Sequence, residues 1–305
     1  MSTPAAPFTN VPRPPHPAGA LRVRPLPDES AASYLHRLAH AYHVETRQLC
    51  EGIGITVHGH PGSTLGASEI VLSPTALHHL TVFTRIPDLE LAIGKGVPAP
   101  GVPDAGQPTA RWQPVEPARQ PTRTCPRCTL HHTRGTTSQA WAYHRAHQRL
   151  CPQHLWWATP PTDRVSLDTR ALPELLPAHH AHKRLTRRPD ATAAYQWAAA
   201  ITTRWYDHQQ HLTPRWRNRL TRLADTNPPP AGGTSWALTG RDPVTYPETI
   251  ALARHLTRTP RGQTDRNFLD HTAHALGLDR LVLPPGDLLW ALIHTKQQRP
   301  RHHCL

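Results

Sequence analysis

Cys125-Pro-Arg-Cys128 and, after 22 intervening residues, Cys151-Pro-Gln-His154 are the side chains of this chain best spaced for chemistry. A Cys-x-x-Cys turn lets two thiolates converge on one cation, and a second knuckle at a loop's distance completes a tetrahedron. Three thiolates and one imidazole suit Zn2+ best. Four protein ligands leave no open coordination position, so the spacing predicts a structural site whose binding energy is part of the folding energy. His154 is preferred as the fourth ligand because it repeats the spacing of the first knuckle, although His131, His132, His144 and His147 lie in the same segment. Trp141 and Tyr143, between the knuckles, are expected to form an apolar plug beside the metal. A redox role for Cys125 and Cys128 would need a strand and helix frame that the flanking sequence does not suggest. Cys50, beside Leu49, reads as a small core residue, and Cys304 carries no assigned role.

The chain has 305 residues, with 34 Lys and Arg against 21 Asp and Glu, a formal net charge of +13. Nearly all of that excess is arginine, and 35 prolines and 24 histidines accompany a single methionine. This bias resembles that of a GC-rich genome, so the charge is a weaker sign of phosphate binding than its size suggests. Its distribution is more useful. Residues 111 to 154 hold seven arginines and one acid, Glu116, and Arg123, Arg127, Arg134, Arg145 and Arg149 are the candidate contacts to nucleic acid or to an acidic partner. A second basic stretch runs from Lys183 to Arg222.

No window approaches the ~18 to 20 apolar residues of a membrane span, and the N-terminal residues lack a secretory pattern, so a cytoplasmic protein is expected. Five cysteines, three of them within 27 residues, argue against a secreted disulfide framework. No phosphate-binding glycine loop, His-Glu-x-x-His or Gly-x-Ser-x-Gly is present, which points away from an enzyme. A metal-dependent nuclease built on His131, His132 and Asp163 stays as an alternative, with the looser spacing against it.

The elements that must position these residues read as mostly α. Residues 1–20 form a proline-rich arm expected to be disordered. Residues 21–95 form a helix-turn-helix-like part: a helix over Glu29 to Tyr42 capped by Asp28, a second over Thr46 to Ile53, and a third over Pro74 to Thr84. Residues 96–121 read as a Pro/Gly-rich linker, 122–160 as a zinc ribbon, and 161–305 as a C-terminal helical domain. In that last part helices are expected over Ala191–Asp207, Pro214–Asp225, Pro247–Arg258, Asp265–Leu276 and Asp287–Gln298.

Three pieces of the chain together resemble the TniQ family of transposition proteins. Leu26-Pro27-Asp28-Glu29-Ser30, running into Ser33-Tyr34-Leu35-His36-Arg37-Leu38-Ala39, is similar to that family's opening helix. The Leu72 to Leu91 stretch is similar to the segment before its linker. Arg111-Trp112, Cys125-x-x-Cys128, Trp141 and Cys151-x-x-His154 are similar to its zinc ribbon. The likeness covers roughly residues 21 to 160. It implies a helix-turn-helix plus zinc-ribbon fold without catalytic activity. It further implies a target-selection adaptor connecting DNA or a guide-RNA effector complex to an AAA+ ATPase transposition regulator, and it admits a homodimer. The N-terminal helices and the ribbon would be the contact surface for the ATPase and DNA. One knuckle set is present where some members have two. A zinc-containing helix-turn-helix transcription regulator is the alternative, its first two helices reading a major groove.

Overall fold

Ser30 starts the first helix, α1 (Ala31–Ala41), by accepting a hydrogen bond from the Ser33 N–H at 3.1 Å. Asp28, expected in that role, has φ 55° and makes the turn before it. The computed structural model describes residues 18–62, 66–87, 106–160, 167–228, 235–258 and 265–298. The chain divides into two compact units, Met1–Arg145 with Ala158–Thr162, and Ala146–Trp157 with Asp163–Leu305. Helix outweighs strand among the described residues, so the fold is mostly α.

In the first unit, α1 is followed by a turn at Tyr42–Glu45 and then α2 (Thr46–Gly52). A capping box between Glu45 and Gln48 supplies two hydrogen bonds at the start of α2. Helix α3 (Pro74–Thr84) begins with Ser73 capping the Ala76 N–H and ends where Arg85 turns left-handed at φ 58°. Tyr34, Leu35, Leu38, Cys50, Ile55, Leu80 and Ala110 are buried together in the core of this unit. Within the expected arm, residues 1–17 lie outside the described residues, while the Gly19 N–H donates to the Phe83 carbonyl at 2.9 Å.

The segment 96–121 holds more than a linker. Its Thr109–Pro114 stretch is β3, the central strand of a sheet with β1 (Thr56–His58) parallel on one side and β2 (Ser68–Leu72) antiparallel on the other. Prolines at 108 and 114 bracket this strand without interrupting it, which is why composition alone hid it.

The second unit has a small sheet, Leu150–Cys151 with Trp156–Trp157 and Leu167–Asp168, followed by helices. Those over Ala191–Asp207 and Asp265–Leu276 keep their expected bounds, and Thr213–Thr226 and Leu288–Gln298 differ at the ends. Leu175–Leu185 has no counterpart among the expected helices, because Pro177 and the basic residues of this stretch obscure its apolar face. Arg241–Leu256 begins six residues before its expected start and carries Pro247 inside it. Proline removes one backbone bond there, and burial outweighs the loss. This helix packs along Ala191–Asp207 and also touches the 175–185, 213–226 and 265–276 helices. Trp205, Trp216, Leu223, Val244 and Ile250 are buried with it.

Candidate metal centre

Cys125 and Cys128 stand at the start of a short helix, Pro126–His132, with Cys125 in the cap position and Pro126 opening the first turn. Proline fits there because the first-turn N–H groups have no intrahelical partner. This is a departure from a pure ribbon: a helix, rather than two strand ends, carries the first pair. Its far end is closed by Arg134 at φ 52° and Gly135 at φ 83°, with the Gly135 N–H donating to the Leu130 carbonyl at 2.8 Å. Thr124 fixes the near end through its N–H to the Ala140 carbonyl at 3.0 Å and a 2.6 Å contact between its hydroxyl and that of Thr129.

The second pair is set by a tight turn. The Leu155 N–H donates to the Cys151 carbonyl at 2.8 Å, and Leu155 itself is left-handed at φ 52°. That turn brings Cys151 Sγ to 3.7 Å from His154 Nδ1. Ligand atoms of Cys125, Cys128, Cys151 and His154 all lie within 4.8 Å of one another, and this is the one such cluster of His, Cys, Asp and Glu found among the described residues. A zinc tetrahedron with Zn–S of about 2.3 Å and Zn–N of about 2.0 to 2.1 Å has edges of about 3.6 to 3.8 Å. The donor set and its spacing are thus compatible with one metal ion. None of the three cysteines is in a disulfide.

The other histidines of the segment go elsewhere. His144 Nδ1 is 2.8 Å from the Thr122 hydroxyl, and the His147 ring meets that of His182 edge-on at 5.9 Å. His131 and His132 are exposed at the end of the 126–132 helix, and Asp163, their expected companion, lies outside the described residues.

Trp141 and Tyr143 hold the segment to α1. Trp141 and Ala142 form a strand antiparallel to Thr122–Arg123, and Glu29 bridges to Ala142 on it. The Ser30 N–H donates to the Trp141 carbonyl at 2.9 Å, the Trp141 N–H to the Ser33 hydroxyl at 3.0 Å, and the Tyr143 N–H to the Asp28 carbonyl at 2.8 Å. The Tyr143 hydroxyl donates to Glu69 at 2.7 Å, so this ring is an anchor and not the apolar plug expected of it. Glu69 also accepts the Ala32 N–H at 2.7 Å, at the positive end of α1. Burial nonetheless raises the Glu69 carboxyl above its ordinary value, against the lowering effect of these bonds.

The remaining residues of the opening motif are explained by the same network. Glu29 is buried and accepts from the Leu26 N–H at 2.8 Å, the Ser33 hydroxyl at 2.8 Å and the Arg37 guanidinium at 2.7 and 2.6 Å. Sequence reasoning missed this pair. Its signal was an acid just before the helix and an arginine eight residues further on, in a stretch otherwise rich in small and apolar side chains.

Of the candidate basic residues, Arg127, Arg134 and Arg145 are exposed. Arg123 is half-buried with its guanidinium 5.8 Å from the Trp141 ring centroid, and burial lowers its pKa. Arg149 is paired with Asp242 at 2.7 Å, so its charge is partly neutralised.

These features define a mostly helical protein with small sheets and a three-cysteine, one-histidine cluster compatible with a metal. Residues 20–156 match the TniQ family model. The match spans a little under half of the chain and marks that part as similar to the TniQ domain of transposition proteins. No curated protein and no solved structure matches the chain. Among the described residues no helix is long and apolar enough to cross a membrane.

Proposed function

We propose that the protein is a non-enzymatic targeting adaptor in DNA transposition, connecting target DNA or a guide-RNA effector complex to an AAA+ ATPase regulator. The observation that carries this reading is the TniQ match over residues 20–156 together with the gathering of Cys125, Cys128, Cys151 and His154 at its C-terminal end. Those four residues would hold one Zn2+. The ion would hold the four side chains in a stretch whose strands are only two residues long. With four protein ligands its role is structural. Arg127, Arg134 and Arg145 are the exposed basic residues proposed to meet DNA or an acidic ATPase surface, with the engaged Arg123 and Arg149 as further candidates.

Metal analysis of the purified protein should give about one zinc per chain, and Cys125→Ser should lose it and unfold the segment. Immobilised protein should capture the AAA+ ATPase encoded beside it. Protein that folds without metal, keeps its stability in Cys125→Ser and fails to capture the ATPase would refute the proposal.

A further inference from the structure

The 175–185 helix and the 241–256 helix end at a shared patch of positive charge. Lys183 and Arg184 lie in the last turn of the first, and Arg187 and Arg188 follow it. Arg254 lies in the last turn of the second, and Arg258 follows that. The two ends are joined: Arg188 Nη1 donates to both the carbonyl and the hydroxyl of Thr257, each at 3.3 Å. Arg254 is within electrostatic reach of Arg258, Arg184 and Arg188, and burial followed by these like charges lowers its pKa. Lys183, Arg184, Arg187, Arg188 and Arg258 are exposed. Among the described residues none of the six cations forms an ion pair, although Asp190 lies nearby in sequence.

Cations at helix C-termini are ordinary, since each end carries roughly half a negative charge. Two ends supply about one negative charge against six positive ones, so helix capping leaves most of the patch uncompensated. Two rings on these helices are already engaged. Tyr195 stacks on His182 with centroids 4.5 Å apart, and His255 tilts against Phe268 at 5.1 Å. A single-stranded ligand needs free aromatic faces for its bases, and a protein partner needs a buried apolar anchor. With Tyr195 and His255 engaged, the forked guanidiniums are the groups this patch offers among the described residues, and they suit the phosphates of a duplex, whose bases are turned inward.

We propose that this patch binds the phosphate backbone of duplex DNA, with Arg184, Arg188, Arg254 and Arg258 as the contacting forks and Lys183 and Arg187 as flanking charges. It lies outside the residues matched to TniQ and does not rest on the adaptor reading.

The test is fluorescence anisotropy of the full chain on a labelled mixed-sequence duplex over a range of salt. Replacing all four forks with glutamine should lower the slope of log affinity against log salt by about 3 to 4, at roughly 0.9 per lost phosphate contact. Arg184→Gln and Arg258→Gln alone should each lower it by roughly 0.9, and these exposed single variants decide the matter if the fourfold variant does not fold. An unchanged slope in folded variants overturns the proposal. So does displacement of the duplex by polyglutamate at equal charge concentration, which would assign the patch to an acidic protein. Tighter binding of a single strand that is lost in the same variants would overturn the choice of duplex. Capture of the AAA+ ATPase should be unchanged in Arg184→Gln; its loss in Cys125→Ser with duplex binding intact would separate the two sites.

Discussion

Arg37 grips Glu29 from two directions, Nε to Oε1 at 2.7 Å and Nη2 to Oε2 at 2.6 Å, with both side chains buried. Glu29 receives further bonds from Leu26 and Ser33, and Arg37 Nη2 also donates to the Arg24 carbonyl at 2.9 Å. The motif that carries the family resemblance is therefore a buried polar lock on the start of α1. Ser30 and Ser33 extend it to the strand carrying Trp141.

Breaking that lock from one side should be costly. Arg37→Ala strands the Glu29 carboxylate in the interior and is expected to destabilise the protein by about 3 to 5 kcal/mol in urea unfolding. The double replacement Glu29→Gln with Arg37→Met should lose less than Arg37→Ala alone, because no uncompensated charge is left behind. A larger loss in the double variant would show that the hydrogen bonds, and not charge burial, dominate.

Two arginines on one helix should differ sharply. Arg219 donates to Glu248 at 2.5 and 3.0 Å and to the Val244 carbonyl at 2.7 Å, and is buried. Arg215 reaches the same carboxylate at 3.2 Å from a side chain that is 40% exposed. Arg219→Ala is expected to cost about 3 kcal/mol or more, whereas Arg215→Ala should cost about 1 kcal/mol or less. Equal losses in denaturant titrations would contradict this ranking.

Glu69 gives the stability a pH dependence of defined sign. Its carboxyl is raised above the ordinary 4.5, chiefly by burial, so ionising it costs folding free energy. That cost is absent below the unfolded value, sets in as pH climbs through the glutamate range, and is complete above the raised folded value. Glu69→Gln cannot ionise. The stability of this variant relative to the parent should therefore improve as pH rises through that window, and a constant or opposite trend in unfolding measured across it would refute the assignment.

Cys50 should be chemically silent in the native protein. It is fully buried on α2 and desolvation pushes its thiol up to about 12. The thiolate is the reactive species, so alkylation at neutral pH should leave the Cys50 peptide unmodified until denaturant is added. Labelling of native Cys50 at the rate of an exposed thiol, followed by mass spectrometry, would count against it.

The helices with an unbroken apolar face were legible. Ala191–Asp207 repeats buried residues at 194, 198, 201 and 205, and its bounds follow from that spacing alone. The pairing of two knuckles also named the four clustered side chains, since ligand spacing is a local property of two tight turns. Thr109–Pro114 was illegible because a six-residue strand between prolines has no periodicity of its own; it is held by partners at 56–58 and 68–72. The Arg241 start was hidden by Pro243 and Pro247, whose local cost is overridden by packing against Ala191–Asp207.

By itself the sequence determined which residue types could share a cation, where most amphipathic helices run, and the likeness of residues 20–156 to TniQ. Tertiary structure alone decided what the charges do. Composition treats every arginine alike, but folding buries Arg37 and Arg219 against carboxylates, places Arg123 over a tryptophan, pairs Arg149 with Asp242, and leaves Arg184 and Arg258 exposed. The physical reason is that a charge acquires its role from the dielectric and the partners around it, and those come from segments tens of residues apart.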